Sequence, residues 1–309
     1  MNYTLHQLKV FLSIAEFRSI TKAAEALHLS QPAVSIQLKN FQDQFDIPLT
    51  EVIGRQLYIT EFGEEIARAA RKIISEVEEI DNKILSYQGR ISGTLNVSVV
   101  STGKYVMPFI LADFLKEHSG VELVMDVTNK TEVVQSLVDN SVDFSLVSIQ
   151  PERMQLRSIS LMENKLYLVV NKETELSEKQ VYPIDILKKV ELIFRESGSG
   201  TRETVERFLK HNNLSISKKL ELKTNEAVKQ AVLAGLGCSI MPLIGIRNEI
   251  KKGELKIIPV EGFPLVSQWQ LVWLKEKKHS PAARAYLEYL HAEKEEIVDS
   301  KFKWYNEFH

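Results

Sequence analysis

The order of small, apolar and polar positions in residues 20–38 predicts two short helices that meet at a tight turn. On the first helix, Ala23 and Ala24 form a low surface over which a second helix can cross closely. Ser30 can cap that second helix, and Pro32 fits its first turn, where a missing N–H costs little. This arrangement is typical of the helix pairs with which proteins read DNA.

The second helix of this pair separates an apolar face from a polar one. Val34 and Leu38 stand four residues apart and are expected to face the core, which leaves polar side chains free to reach a groove. Such side chains suit base edges and phosphates. The residues of this helix that we expect to bind DNA are Ser30, Gln31, Pro32, Ser35, Gln37 and Lys39. The plainer alternative is an ordinary helical hairpin within a larger α-helical domain.

A short hairpin is predicted next, because β-favouring residues flank Gly54 and Arg55 in the segment 48–60. Such a hairpin would form a wing beside the second helix. Arg55 at its tip would then bind DNA along the phosphate backbone, where a positive charge positions a protein without reading sequence. The alternative is a solvated arginine in a turn.

A long helix is predicted from Thr60, its expected cap, to about residue 88. Its apolar residues repeat every seven positions in two series offset by four, which is the pattern of a coiled-coil seam. The expected dimerisation residues are Ile66, Ala70, Ile73, Val77, Ile80 and Ile84. A dimer would set the spacing of two helix pairs on two half-sites of DNA. The alternative is one amphipathic helix packed on its own chain.

Short β-branched runs alternate with helical segments beyond residue 92, which predicts an α/β architecture with a parallel sheet. The expected strands cover residues 94–100, 121–127, 142–148, 166–171 and 191–194, and a later run, 269–274, is expected to return to the first α/β unit. The resulting domains are a DNA-binding domain at 1–60, a linker helix at 61–91, an α/β lobe I at 92–162 plus 266–309, and an α/β lobe II at 163–265.

Composition and charge fit a globular protein, since 44% of the 309 residues are hydrophobic, 26% are charged and the net charge is −2. Residues 1–60 carry five basic and five acidic side chains, so DNA affinity must come from local placement and dimerisation. The N-terminus lacks an apolar secretory core, and no run approaches the roughly 20 apolar residues that span a bilayer. We therefore expect a cytoplasmic protein with no membrane partner. The single cysteine, Cys238, excludes a disulfide framework and a multi-thiolate metal site within one chain.

The N-terminal pattern, taken as a set, resembles the winged helix-turn-helix of LysR-type transcriptional regulators. The matching residues are Leu5, Leu8, Phe11, Ala15, Ser19, Ala23, Ala24, Leu27, Ser30, Gln31, Pro32, Ser35, Pro48, Leu49, Arg55, Thr60 and Gly63. Ile36, the pair Phe41-Gln42 and Thr50 depart from the residues usual in that family. The resemblance continues to about residue 292, and the tail beyond it, ending KFKWYNEFH, has no interpretation from sequence.

This resemblance implies both a fold and a set of partners. The implied fold is an α/β effector domain of two periplasmic-binding-protein-like lobes, preceded by an all-α winged helix-turn-helix and a long dimerisation helix. The implied partners are double-stranded promoter DNA, a small inducer, RNA polymerase and further copies of the chain, as a homodimer that assembles into a homotetramer. The resemblance implies a ligand-responsive regulator that is not an enzyme and needs no cofactor or metal.

Ligands of open α/β sheets bind where strands end and helices begin, so hydroxyls and N–H groups at those junctions are candidate effector ligands. In the run RESGSGTR, residues 195–202, two arginines flank a glycine-loosened turn suited to an anion. The residues expected to bind the effector are Ser101, Thr102, Thr128, Ser148, Arg195, Ser197, Gly198, Ser199, Gly200, Thr201, Arg202 and Asn225. The alternative is that these residues simply cap helices and form turns.

In the LysR family these junctions line the inducer cleft. The RESGSGTR run further resembles members that control carbon fixation or sulfur assimilation, which implies an anionic metabolite as the inducer.

Two other classes of protein fit parts of the sequence. Gly198-Ser199-Gly200 begins like a dinucleotide-binding fingerprint, but Glu203 replaces the third glycine and would oppose a pyrophosphate. No G-x-S-x-G or HExxH spacing occurs, so the sequence offers no catalytic constellation. A cytoplasmic small-molecule-binding protein of solute-binding fold, without regulated DNA binding, is the alternative function.

Overall fold

The computed structural model describes residues 3–54, 56–87, 91–152, 154–178, 180–216 and 220–308, and it leaves out the side chains of residues 78, 79 and 81–87. The chain divides into two compact units, unit 1 at Met1–Arg90 and unit 2 at Ile91–His309. Arg55 and the side chain of Ile84, both expected at functional surfaces, lie outside the described residues.

Unit 1 contains three short helices, a two-stranded hairpin and one long helix. These elements are α1 (Leu5–Phe17), α2 (Ile20–Ala26), α3 (Gln31–Gln42), β1 (Thr50–Ile53), β2 (Gln56–Ile59) and α4 (Glu61–Tyr87). Ser30 caps α3 as predicted, because its Oγ accepts from the backbone N–H of Ala33 at 3.4 Å. Ala23 and Ala24 are buried at the α2 surface, so the expected close helix crossing is confirmed.

The wing is joined to the end of α3 by one side chain. The Gln42 Oε1 accepts from both the backbone N–H of Thr50, at 3.1 Å, and the Thr50 hydroxyl, at 2.8 Å. Gln42 and Thr50 are two of the residues that depart from the usual LysR pattern. Two of the departures therefore lie together in one hydrogen-bonded pair.

Unit 2 is built from nine strands and six helices within its described part. The elements are β3 (Ser92–Val100), α5 (Met107–Glu117), β4 (Gly120–Thr128), α6 (Lys130–Val138), β5 (Phe144–Val147), β6 (Leu156–Asn171), β7 (Ile193–Arg195), α7 (Gly200–His211), β8 (Leu220–Leu222), α8 (Asn225–Leu233), β9 (Ser239–Pro242), α9 (Arg247–Lys251), β10 (Leu255–Ile258), β11 (Leu265–Leu274) and α10 (Pro281–Asn306). The expected α/β class is confirmed.

The expectation of a parallel sheet is wrong for most of unit 2. The main sheet has the order β10-β6-β11-β5-β3-β4, with β9 also paired to β6. Only β3 with β4, and β3 with β5, run parallel within it, and β7 pairs with β8 in parallel in a separate small sheet. The other pairs are antiparallel because β6 carries the chain out of the first half of unit 2 and β11 brings it back. A buried apolar run does not encode strand direction, so the sequence could not show this.

The two lobes share these crossing strands. We call lobe I the half that holds β3, β4, β5, α5, α6 and α10, and lobe II the half that holds α7 to α9 and β7 to β10. The lobe boundaries expected from sequence, at 162/163 and 265/266, fall within β6 and at the start of β11. One large apolar cluster draws residues from both lobes, and a second, around Leu168, Phe194 and Ile240, lies within lobe II.

The C-terminal tail forms the end of α10 and packs on the crossing strands. Tyr305 is fully buried, and its hydroxyl oxygen accepts from the backbone N–H of Lys165 in β6 at 2.7 Å. Its ring lies 6.3 Å from that of Trp269 in β11, between centroids. Arg247 of lobe II lies over the Trp304 ring at 4.3 Å. The tail therefore braces both strands where they pass between the lobes.

Replacing Tyr305 by Phe removes the hydrogen bond to the Lys165 N–H and keeps the aromatic ring. We expect Tyr305→Phe to lower the free energy of unfolding of unit 2 by about 1–3 kcal/mol, because a buried N–H of β6 loses its acceptor. Urea denaturation followed by tryptophan fluorescence measures this change. Tyr289→Phe, which removes a less buried hydroxyl from the same helix, is the control and should cost less than about 0.5 kcal/mol. Equal losses in the two variants would contradict the prediction.

Candidate functional site

The outward surface of α3 carries most of the residues expected to bind DNA. Gln31, Pro32 and Lys39 are exposed, and Ser30 is exposed while its Oγ caps the helix. Ser35 and Gln37 are half-buried, so they lie at the borders of this surface and not at its centre. Sequence reasoning missed Ile36, which is the most exposed large apolar residue of the helix at 57%, because an apolar side chain was not expected to contact DNA.

Only some of the residues expected to form the dimer interface are exposed on α4. Ala70 is buried in the core of unit 1 and Ile66 packs against that core, so the assignment of these two residues to the dimer interface is corrected. They pack on α1 of the same chain, since the first turns of α4 close the helix-turn-helix core. Ile73 and Ile80 are exposed, and together with the half-buried Val77 they line an open apolar groove.

In unit 2, the loop after β3 meets lobe II through Ser101. The Ser101 Oγ accepts from Nη1 of Arg195 at 3.0 Å and from Nδ2 of Asn225 at 2.7 Å. A hydroxyl oxygen has two acceptor lone pairs and one proton to donate. With both lone pairs used, the hydroxyl of Ser101 can bind a further group only as a donor.

Asn225 therefore has a different role from capping, the alternative that sequence left open. The cap of α8 is Thr224, whose Oγ1 accepts from the backbone N–H of Ala227 at 3.0 Å. Asn225 is the first residue of the helix, is buried, and reaches Ser101 across the lobes. After β3, a single 3-10 turn over Gly103–Tyr105 separates Ser101 and Thr102 from α5, which begins at Met107.

Arg195 forms a buried ion pair with Glu196. Its Nε and Nη2 donate to the two carboxylate oxygens of Glu196 at 2.8 and 2.9 Å, and Nη2 also donates to the carbonyl oxygen of Lys223 at 3.2 Å. The Arg195 and Glu196 side chains are only 4% and 10% exposed. Because this guanidinium is already neutralised, the expectation that Arg195 binds an anionic effector directly is corrected to a positioning role.

Arg202 is likewise held by carboxylates. Its Nε donates to Glu206 at 2.6 Å, and its Nη1 donates to Glu221 at 2.7 Å and to the carbonyl oxygen of Arg195 at 3.1 Å. Arg202 therefore ties α7 to β7 and β8, and its expected role as an effector ligand is corrected in the same way. Sequence could not show this, because Glu221 lies 19 residues away.

Three buried residues with hydroxyl groups lie where strands end or a helix begins. Thr102 follows β3, Ser148 follows β5, and Thr201 lies in the first turn of α7, with exposures of 4%, 9% and 8%. Within the described part of the chain, these three hydroxyls form no hydrogen bond, and their oxygens are not among its fully buried, unpartnered polar atoms. The three oxygens are therefore accessible to a polar ligand or to water.

The glycine-rich turn places the start of α7 against lobe I. A Cβ on Gly200 would lie 3.1 Å from the Ser148 Oγ, and one on Gly198 would lie 2.5 Å from the Thr131 Oγ1. Gly198 also has a φ of +87°, which side chains rarely adopt. Glycine is therefore needed for the α7 N-terminus to approach the lobe I hydroxyls, and that N-terminus favours an anion.

The mouth of this cleft contains residues that sequence reasoning missed. Lys130 and Thr131, at the start of α6, line it opposite Ser197 and Ser199, and the Lys130 Nζ lies 2.6 Å from the Glu203 Oε2. Ser199 is buried and caps α7 through Arg202 N–H, whereas Ser197 is exposed. Thr128, at the end of β4, is half-buried and pairs with Val100 of β3, and it is not among the residues that line this mouth. The sequence could have indicated Lys130 and Thr131, because they directly follow Asn129, the cap of α6.

The described residues, those of the cleft included, hold no group of three or more His, Cys, Asp or Glu side chains placed to bind a metal ion. Among the same residues, no helix combines the length and apolarity that crossing a bilayer requires. Cys238 is buried, and burial raises the pKa of its thiol to about 12, so the thiol stays protonated at neutral pH.

Comparison with known proteins decides the family. A family model described as "Bacterial regulatory helix-turn-helix protein, lysR family" matches residues 5–64, and one described as "LysR substrate binding domain" matches residues 88–295. The chain belongs to the LysR family. It is thus a DNA-binding transcriptional regulator of the LysR type with an effector-binding domain, as the sequence predicted.

Relatives match this LysR-type chain over almost its whole length. The HTH-type transcriptional activator CmpR of Synechocystis sp. is 36% identical over 296 residues, which cover 96% of this chain and 97% of CmpR. A RuBisCO operon transcriptional regulator of Allochromatium vinosum is 38% identical over 293 residues, which cover 95% of this chain and 97% of that protein. The relatives are transcriptional regulators, not enzymes.

Solved structures agree with this fold. The regulatory domain of CcmR of Synechocystis PCC6803, solved in complex with 2-PG (2-phosphoglycolate), is 31% identical with a TM-score of 0.62, and the match covers 65% of this chain and 97% of that domain. Full-length CbnR complexed with its target DNA has a TM-score of 0.69 at 21% identity, covering 94% of this chain and 99% of CbnR, and shows a common fold.

The positioning role of Arg195 in this LysR-type domain predicts how the free energies of unfolding of a single and a double variant differ. Arg195→Met leaves the buried Glu196 without its counter-charge, so we expect the free energy of unfolding to fall by about 3–5 kcal/mol. Adding Glu196→Leu should recover most of that loss, because the buried charge is then gone. Urea denaturation of the two variants measures both effects. A single variant as stable as the native protein would show that Arg195 does not have this role.

Proposed function

We propose that this LysR-type regulator controls genes of carbon fixation in response to a small phosphorylated carboxylate of the 2-phosphoglycolate class. Its relatives include regulators named for the RuBisCO operon, and the regulatory domain of CcmR binds 2-PG. The observation that carries the proposal is that the hydroxyls of Thr102, Ser148 and Thr201 form no hydrogen bond within the described residues, and that the Ser148 Oγ lies against the start of α7 at Gly200.

Hydrogen-bond donors, more than unpaired cations, recognise the anion in this proposal. Ser101 has only its proton left to donate, since Arg195 and Asn225 occupy its lone pairs. The first N–H groups of α7 carry the positive end of the helix dipole, and the helix begins against Ser148 of lobe I. Lys130 adds one positive charge, which it shares with Glu203. A phosphate offers enough acceptor oxygens for several of these donors at once.

The proposed mechanism links the lobes to DNA through assembly. An anion bound between the lobes favours one arrangement of effector domains, and that arrangement sets the spacing and bend imposed on promoter DNA between half-sites. We propose that the chain forms a homodimer through α4, assembles into a homotetramer on DNA, and acts in the cytoplasm together with RNA polymerase. The exposed groove of Ile73, Val77 and Ile80 supports the first of these contacts.

Thr102→Ala and Thr201→Ala test the effector site. Each removes one hydroxyl that we assign to the anion, so we expect the dissociation constant for 2-phosphoglycolate to rise about tenfold for each variant. Titration calorimetry on the full-length protein measures this, and DNA affinity without effector should stay unchanged.

Thr204→Ala is the matched control for these two variants. Its hydroxyl already donates to the carbonyl oxygen of Gly200 at 3.0 Å, in the same helix as Thr201. It should leave the titration as it is in the native protein. Failure of the native protein to bind 2-phosphoglycolate would reject this effector class, and loss of DNA affinity in the threonine variants would indicate misfolding.

Ile73→Asp tests the dimer helix. A charge on the exposed apolar groove should shift the protein from dimer to monomer at micromolar concentration, because a buried unpaired carboxylate is costly. Sedimentation velocity measures the shift. Ser75→Asp adds the same charge at an exposed position two residues away and should leave the dimer intact. A dimer that survives Ile73→Asp would place the interface elsewhere.

A further inference from the structure

An isoleucine stands at the centre of the outward face of α3. Ile36 is 57% exposed, whereas Val34, Leu38 and Phe41 of the same helix are buried. Since successive helical residues are about 100° apart, Ile36 lies about 140–160° from each of these three around the helix axis. Ile36 therefore points directly away from the core of unit 1.

The surface around Ile36 is suited to the close approach of a polyanion. Residues 26–42 contain Lys39 and no carboxylate, although the first 60 residues as a whole are charge-balanced. Pro32, one turn before Ile36, is exposed, and Lys39 and Asn40 are exposed one turn after it. The apolar side chain thus has a phosphate-seeking cation beside it and no acid to repel DNA.

The second helix of a helix-turn-helix enters the major groove, where its outward side chains meet base edges. Most groups on those edges are hydrogen-bond donors or acceptors, and the 5-methyl group of thymine is the apolar exception. Isoleucine can satisfy no donor or acceptor, so pressing it against another base edge would leave polar groups without partners. Contact with the methyl group instead buries apolar surface on both sides.

We propose that Ile36 reads one thymine in each DNA half-site through van der Waals contact with its 5-methyl group. The proposal rests on DNA binding by α3, and it assigns to Ile36 a specificity that the polar residues of the helix do not supply. It also assigns a function to a residue that departs from the usual LysR pattern. Singly exposed apolar residues are common on protein surfaces, and the position of this one on the reading helix is what distinguishes it.

Replacing thymine by deoxyuridine tests the proposal, because it removes the methyl group and leaves the base pairing unchanged. Sites are first selected from randomised duplexes by the full-length protein, and each thymine of a selected site is then replaced in turn. We expect one replacement per half-site to raise the dissociation constant about three- to fivefold, the effect of one buried methyl group. The Ile36→Ala variant should bind the thymine and uracil duplexes equally.

Two control variants separate this contact from general effects. Val138→Ala removes a similarly exposed β-branched side chain, 55% exposed, from unit 2, and it should keep the full thymine preference. Lys39→Ala should weaken binding to all duplexes alike while preserving the preference. Ile36→Ala is expected to fold, because alanine is the better helix former.

The outcomes distinguish the proposal from the function on which it rests. A native protein that binds its selected site but responds to no thymine replacement would overturn the methyl contact. So would a thymine preference that persists unchanged in Ile36→Ala. If the native protein binds no duplex even at low salt, the DNA-binding function fails instead, and the role of Ile36 fails with it.

Discussion

The hydroxyl of Ser101 accepts hydrogen bonds from Arg195 and Asn225, and this one oxygen links lobe I to lobe II. Arg195 can donate to this oxygen only because Glu196 neutralises the guanidinium. A buried charge without a partner would strongly destabilise the fold. Glu196 in turn is fixed by its backbone N–H, which donates to Leu222 of β8. The shape of the effector cleft thus depends on a short chain of polar contacts that are themselves shielded from water.

The electrostatics of the cleft follow from the same arrangement. Arg195, Arg202 and Lys130 all face carboxylates of the protein, so an entering anion meets few unpaired cations. Attraction that comes from oriented hydroxyls and N–H groups depends on direction, whereas attraction to a bare cation depends mainly on distance. A cleft of this kind selects ligands by the placement of their oxygens more than by their net charge.

Local sequence signals predicted local structure well. Ser30 caps α3 and the two alanines pack α2 closely, because capping and helix crossing depend on neighbouring residues. The roles of Asn225, Arg195 and Arg202 could not be predicted, because their partners lie far along the chain and a lone arginine near glycines fits an anion site equally well. Strand direction was missed for the same reason. The tail shows no pattern in isolation, since Tyr305 acquires its meaning only from the N–H of Lys165.

The bond between Gln42 and Thr50 has a consequence for exchanging DNA specificities between regulators. A recognition helix taken from a relative whose residue at position 42 has no acceptor oxygen at this reach would leave the Thr50 N–H unpaired. The smallest portable reading module in this chain is therefore the helix together with its hairpin, residues 20–59. Within that module the two hydrogen bonds of Gln42 keep the helix and the hairpin in one fixed arrangement, which an exchange of the helix alone would lose.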